Sequence, residues 1–153
     1  MKQCTLIFPL NEQWQILLGM KKRWFGMGKW NGLWWKKEPH ETIEASAVRE
    51  IAEESGIIIT ENQLAFHWTI QFIFQWKEDW NQIVYIYSIP NYQWEEPIET
   101  EEMNPKWFSI HDIPFDSMWE DDPFWLPRML QGETILSEAI FDENGKLAEW
   151  RDL

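Results

Sequence analysis

The chain has 153 residues, 26 of them acidic against 13 basic, for a net charge of −13, and it carries one cysteine, Cys4. That balance argues against a nucleic-acid polymer or an anionic membrane as the main partner, because such binding rests on basic patches. A lone cysteine excludes an internal disulfide, and no apolar run approaches the roughly 20 residues of a membrane span or a signal-peptide core. The expectation is a cytoplasmic protein of one domain, residues 1–153, large enough to bury its own core and open to a small anionic ligand that arrives with a metal ion.

Residues 4–9 and 15–20 read as paired strands around the turn Asn-Glu-Gln-Trp, followed by a loop rich in Gly, Lys and Trp over 21–37. Thr42 then caps a helix whose apolar stripe is Ile43, Ala47, Val48 and Ile51, with Glu44 near its positive end and Gly56 at its C′ position. Residues 66–74 and 82–89 read as strands with aromatic and β-branched content, and 106–109 as a short one. Pro123, after Asp121 and Asp122, opens a second helix that ends before Gly132. The pattern is α+β, with no repeat and no linker.

The capped helix carries the chemistry. At about 3.6 residues per turn, Glu50, Glu53 and Glu54 share a face, preceded by Arg49 and standing behind Glu41. Like charges so placed repel unless a cation neutralises them, and oxygen-only ligands suit a hard divalent ion such as magnesium or manganese.

From Glu41 onward the spacing E-x7-R-E-I-x-E-E-x-G-I resembles the signature of the Nudix hydrolases. Every later position of the signature matches, while the opening glycine and the glycine before it are replaced by Trp35 and Trp34. The resemblance implies a Nudix fold, a mixed β-sheet sandwiched between α-helices. It also implies magnesium, with manganese as its substitute, held by Glu50, Glu53, Glu54 and Glu102 and faced by the Trp35 carbonyl. Glu53 or Glu54 would serve as general base, Glu102 being a further candidate, and Arg49 would pair with Glu41 to fix the helix against the preceding loop.

The likeness covers nearly the whole chain and is nearest to the oxidised purine nucleoside triphosphatases of MutT type, through the phrases KWNG at 29–32 and MWEDDPFW at 118–125. It implies that Asn31, Asp121 and Asp122 bind a purine edge, that Trp119 and Trp125 lie near the base, that Phe25 and Phe72 line its pocket, and that Lys21, helped by Lys22 and Arg23, meets phosphates. Two adjacent carboxyls in a partly dry aromatic pocket cannot both stay ionised, so one donates to a purine carbonyl while the other accepts. The plainer reading of the two aspartates is a helix cap before Pro123. The expected reaction releases pyrophosphate and a nucleoside monophosphate, in a monomer. A rival expectation is a silenced nucleotide-binding protein, with Trp34 and Trp35 blocking the catalytic turn.

Tryptophan is in excess, at 13 residues against seven glycines, where ordinary chains carry about 7% glycine. Trp14 and Trp80 sit in polar settings that suit a turn glycine, and Trp24, Trp34, Trp35, Trp68, Trp76 and Trp94 fall where similar chains tend to have glycine. One reading is a gene that uses UGA for glycine; the other is a tryptophan-rich surface. Trp30, Trp107, Trp119 and Trp125 read as true tryptophans. His40, His67 and His111 lack zinc-ligand spacing, Cys4 reads as a buried strand residue, and Glu95, Glu96, Glu99 and Glu101 as a solvated acidic run.

Overall fold

The computed structural model describes residues 1–23, 26–93 and 96–153. In chain order its elements are β1 (Lys2–Pro9), β2 (Gln15–Lys21), β3 (Trp30–Asn31), β4 (Leu33–Lys36), α1 (Ile43–Ser55), β5 (Ala65–Phe74), β6 (Gln82–Ile89), β7 (Met103–Ser109), α2 (Asp122–Leu130), β8 (Ile135–Phe141) and β9 (Leu147–Asp152). Six strands form a mixed sheet in the order β4-β1-β6-β5-β8-β9, with β1·β6 and β5·β8 parallel. A smaller antiparallel sheet, β3-β2-β7, stands beside it.

The alternation of β1 assigns its two faces. Leu6 and Phe8 enter one apolar cluster with Trp125, Leu126 and Met129 of α2, while Ile7 enters a second with Ala47 and Ile51 of α1. Successive strand residues point to opposite faces, so the two helices cover opposite sides of the large sheet, the expected sandwich. α1 starts where Thr42 Oγ1 accepts the Ala45 N–H at 3.1 Å. It stops at Gly56, whose φ of 75° suits glycine and whose N–H reaches the Ala52 carbonyl at 3.0 Å.

Three expectations are corrected. β1 and β2 are not paired strands: one bridge, Leu10 with Ile16, joins them before β2 leaves for β7. Ile16, Leu17 and Leu18 are all fully buried, with Ile16 and Leu18 in the first cluster and Leu17 in the second, so β2 is wanted between two cores and not at a sheet edge. The loop expected over 21–37 contains β3 and β4. The last expected strand is longer, and β8 and β9 were not anticipated, although Ile135–Phe141 alternates buried and more exposed residues and Asp142–Gly145 makes a turn closed by the Asp142 carboxylate.

Candidate functional site

Two connected cavities open beside the helices, and Asn31, Trp34 and Trp119 line both. The larger, about 240 Å³, is a cleft walled by Lys21, Trp35, Glu54 and Glu102. The smaller, about 40 Å³, is walled by Phe72, Gln82, Asp121 and Asp122. The site therefore draws on β3, β4, α1, β5, β6, the β7 approach and the start of α2. Gly32 makes this packing feasible: a Cβ there would come within 2.6 Å of the Phe8 ring and 2.9 Å of Leu6, so the backbone joining Asn31 to Trp34 lies against the core with no room for a side chain.

In the small cavity, Asp121 and Asp122 are 1% and 3% exposed. Asp121 stands at the N-cap position of α2, yet its side chain makes no capping bond. Asp121 Oδ2 instead accepts the Trp125 indole N–H at 2.8 Å, while Asp121 Oδ1 and Asp122 Oδ2 are buried without a hydrogen-bond partner among the described residues. Burial raises the Asp121 carboxyl to about 6 against the pull of the Trp125 bond. Burial raises Asp122 well above the ordinary carboxylate range and the neighbouring Asp121 charge adds to it, while a backbone hydrogen bond from Trp119 and then Lys29 oppose it. Two acids so placed hold at least one proton between them near neutrality and present one donor and one acceptor.

In the cleft, the carboxylates divide into two groups. Arg49 meets Glu41 at 2.8 Å, Glu50 at 2.8 Å and Glu53 at 3.1 Å, and these bonds strengthen its hold on its proton. Burial raises the Glu50 carboxyl despite that partner. Glu54 turns instead to Glu102. Burial first, then this carboxyl–carboxyl hydrogen bond, raises Glu54 to about 7. Glu53 points outward beside Arg49 with a side chain 60% exposed.

The convergence of Glu50, Glu53 and Glu54 expected from helix spacing is thus not what the side chains adopt. Among the described residues no cluster of three or more acidic, histidine or cysteine side chains is gathered as a cation site. The donor set nevertheless fits a hard divalent ion: the Glu54–Glu102 contact places two acids against each other with Glu50 acting on the same charge balance, an arrangement an oxygen-seeking cation relieves.

The chain matches the NUDIX domain family over residues 3–129. The chain belongs to the Nudix family. It is 44% identical over 148 residues to the oxidized purine nucleoside triphosphate hydrolase of Danio rerio, covering 97% of this chain and 92% of that protein. The protein of the same name from Mus musculus is 36% identical over 146 residues, covering 95% and 90%. The crystal structure of the MutT protein of Bacillus halodurans superposes with a TM-score of 0.84 at 17% identity, covering 99% of this chain and 97% of that one, which shows the fold. The chain is a MutT-like Nudix hydrolase.

Within this Nudix chain, Asn31, Phe72, Trp119, Asp121, Asp122 and Lys21 stand in the cavity walls. Trp125 does not. Its indole is fully buried behind Asp121, edge-on to Phe8 at 5.8 Å, so it holds the acid and does not meet a base. Phe25 lies outside the described residues, as do Trp24, Trp94 and Glu95. Lys22 is paired with Glu99 and Arg23 reaches Glu102 at 3.3 Å, which leaves Lys21 as the member of that triplet in the cleft wall. Cys4 is fully buried and its thiol is pushed up to about 12 by desolvation; His67 bonds Ser88 Oγ at 2.7 Å.

Two residues were missed. Lys29, with Nζ 5.4 Å from the Trp119 ring, acts on Asp122, and Gln82 accepts the Trp34 indole N–H at 3.0 Å within the small cavity wall. Lys29 stands in the quoted KWNG phrase, where its charge was the available signal; Gln82, at the start of a strand, gave none.

Proposed function

We propose that the chain hydrolyses an oxidised or otherwise modified purine nucleoside triphosphate to the monophosphate and pyrophosphate, a cytoplasmic task of nucleotide-pool sanitation. The observation that carries this reading is the buried Asp121–Asp122 pair, with one unpartnered oxygen on each acid, aimed into an aromatic cavity that opens on the acidic cleft. A buried polar atom left unpaired costs about 1–3 kcal/mol, and a purine edge offering both a carbonyl and an N–H relieves both. The pair tolerates altered bases because whichever acid carries the proton can switch from acceptor to donor. Trp119 and Phe72 supply faces for stacking, worth on the order of 1–3 kcal/mol per base in nucleic-acid sites.

On the phosphate side, Lys21, in the cleft wall, would meet the triphosphate. Glu50, Glu53, Glu54 and Glu102, with the Trp35 carbonyl, would hold magnesium, or manganese in its place. That ion would neutralise phosphate charge and acidify a water for attack on phosphorus. Arg49 sets the helix against Glu41. Glu53 or Glu54 takes the proton of the attacking water, a role typically worth 10²–10⁴-fold in rate.

The test is magnesium-dependent release of pyrophosphate from 8-oxo-dGTP by the chain as written, with Glu53→Gln as the blank. Release that falls by 10²-fold or more in the variant supports the hydrolase. Tight binding of the nucleotide with no release at all supports the second reading, a silenced binding protein, which the presence of Trp34 and Trp35 in the cleft wall favours.

A further inference from the structure

Two tryptophans occupy backbone conformations that suit glycine. Among the described residues three non-glycines have φ in the left-handed region: Asn91 at 52°, Trp14 at 60° and Trp68 at 95°. Asparagine visits that region with help from its short polar side chain, whereas a bulky aromatic there is a genuine outlier. Both conformations are imposed by their surroundings. The turn at Trp14 is closed by Asn11 Oδ1, which accepts the Gln13 and Gln15 N–H groups at 3.0 Å, and the Trp14 carbonyl accepts the Ile110 N–H at 2.9 Å. Trp68 follows the register break in β5, a strand held on both sides by β6 and β8, and a bulge of this kind commonly takes glycine. Neither indole gains burial in return, at 69% and 45% exposed.

Trp34 adds an independent sign. Its place opposite Leu6 in β4 sends the indole toward the α2 side of the sheet, where it bonds Gln82 and walls both cavities. What remains of the small cavity, about 40 Å³, is an order of magnitude below the roughly 300–1,000 Å³ of ordinary ligand pockets. Trp35, its neighbour, narrows the cleft beside Glu54 and Glu102. By contrast Trp125 is fully buried and bonded to Asp121, and Trp30 packs edge-on to Phe108 at 4.8 Å, as residues that belong as tryptophan do.

We infer that positions 14, 34, 35 and 68 are glycine in the functional protein, encoded by UGA triplets that its source cell reads as glycine. One change of decoding accounts for the strained turn, the strained bulge, the filled cavity and the direction of the excess, 13 tryptophans against seven glycines; separate mutations would have to arrive at each place. In the glycine form the indole of position 34, which walls both cavities, is absent.

The test is to read the codons at these four positions and at 30 and 125, and to sequence by mass spectrometry the peptides of the protein isolated from its own cells. UGA at 14, 34, 35 and 68, UGG at 30 and 125, and glycine in the four peptides are expected. UGG at any of the four, or tryptophan in those peptides, overturns the inference. Neither readout depends on nucleotide hydrolysis, so an inactive glycine form would remove the proposed substrate and leave this assignment standing.

Discussion

Asp122 has two reasons to keep its proton, a dry site and an adjacent acid, and two lesser reasons to lose it, the Trp119 backbone hydrogen bond and then Lys29. Its folded-state affinity for a proton lies above the unfolded value of 3.8, as does that of Asp121, raised to about 6. Below pH 3.8 folded and unfolded chains are both protonated and the pair is neutral to stability. As pH rises through that value the unfolded chain loses its protons first, the folded chain binds more, and stability falls until the folded groups also titrate. Asp122→Asn removes the acid without changing its shape. The variant is expected to match the parent at pH 4 and to exceed it by about 1–3 kcal/mol at pH 8, the scale of an uncompensated buried polar group, measured as the urea midpoint across pH. Parallel curves would show that the pair is not strained in the folded state. At the same scale, Trp14→Gly is expected to stabilise: relief of a left-handed aromatic is worth about 1–3 kcal/mol, against roughly 0.5–1 kcal/mol for the added chain entropy of glycine. A lowered thermal midpoint would show that the turn accepts its indole without strain. The acidic pair was legible in the sequence because its neighbours made a rare phrase. The outward turn of Glu53 was not, because helix periodicity assigns a face and says nothing of which carboxylate Arg49 will capture.

At the scale of elements, α1 shows what a short stretch of sequence can dictate. Cap, stripe and stop are all local signals, and Thr42, Ala47, Ile51 and Gly56 do in the structure what their positions require. Thr42→Ala is expected to cost about 1 kcal/mol and Gly56→Ala about 1–2 kcal/mol, since alanine at a φ of 75° is strained and its Cβ would also meet Ile98 Cδ1 at 3.0 Å. The two ends share no partner, so the double variant should show the sum within about 0.5 kcal/mol; a much smaller sum would mean that the helix frays as one unit. The β elements were less legible for a physical reason. Which strand pairs with which depends on where apolar faces find cover, and β2, apolar on both sides, is drawn between two clusters instead of along β1. β8 and β9 carried a period-two pattern and a turn, yet they follow the last chemical motif.

Across the whole molecule the acidic surplus of −13 meets its sharpest local form at Glu54 and Glu102, two acids in contact on different elements, α1 and the approach to β7. A divalent cation binding there joins those elements only in the folded state, so it stabilises by mass action, about 2.7 kcal/mol at 100 times the dissociation constant. For a chain of this length each kcal/mol moves the thermal midpoint by roughly 2–4 °C, so saturating magnesium should raise it by about 5–10 °C. Glu102→Gln separates the two contributions to that shift. Removing one acid relieves the repulsion, so the variant without metal should melt above the parent, and its gain on adding magnesium should shrink by half or more. If Glu102→Gln keeps the full magnesium response, the cation is held by the Arg49-linked carboxylates alone, and the expected part of Glu102 in the site is wrong.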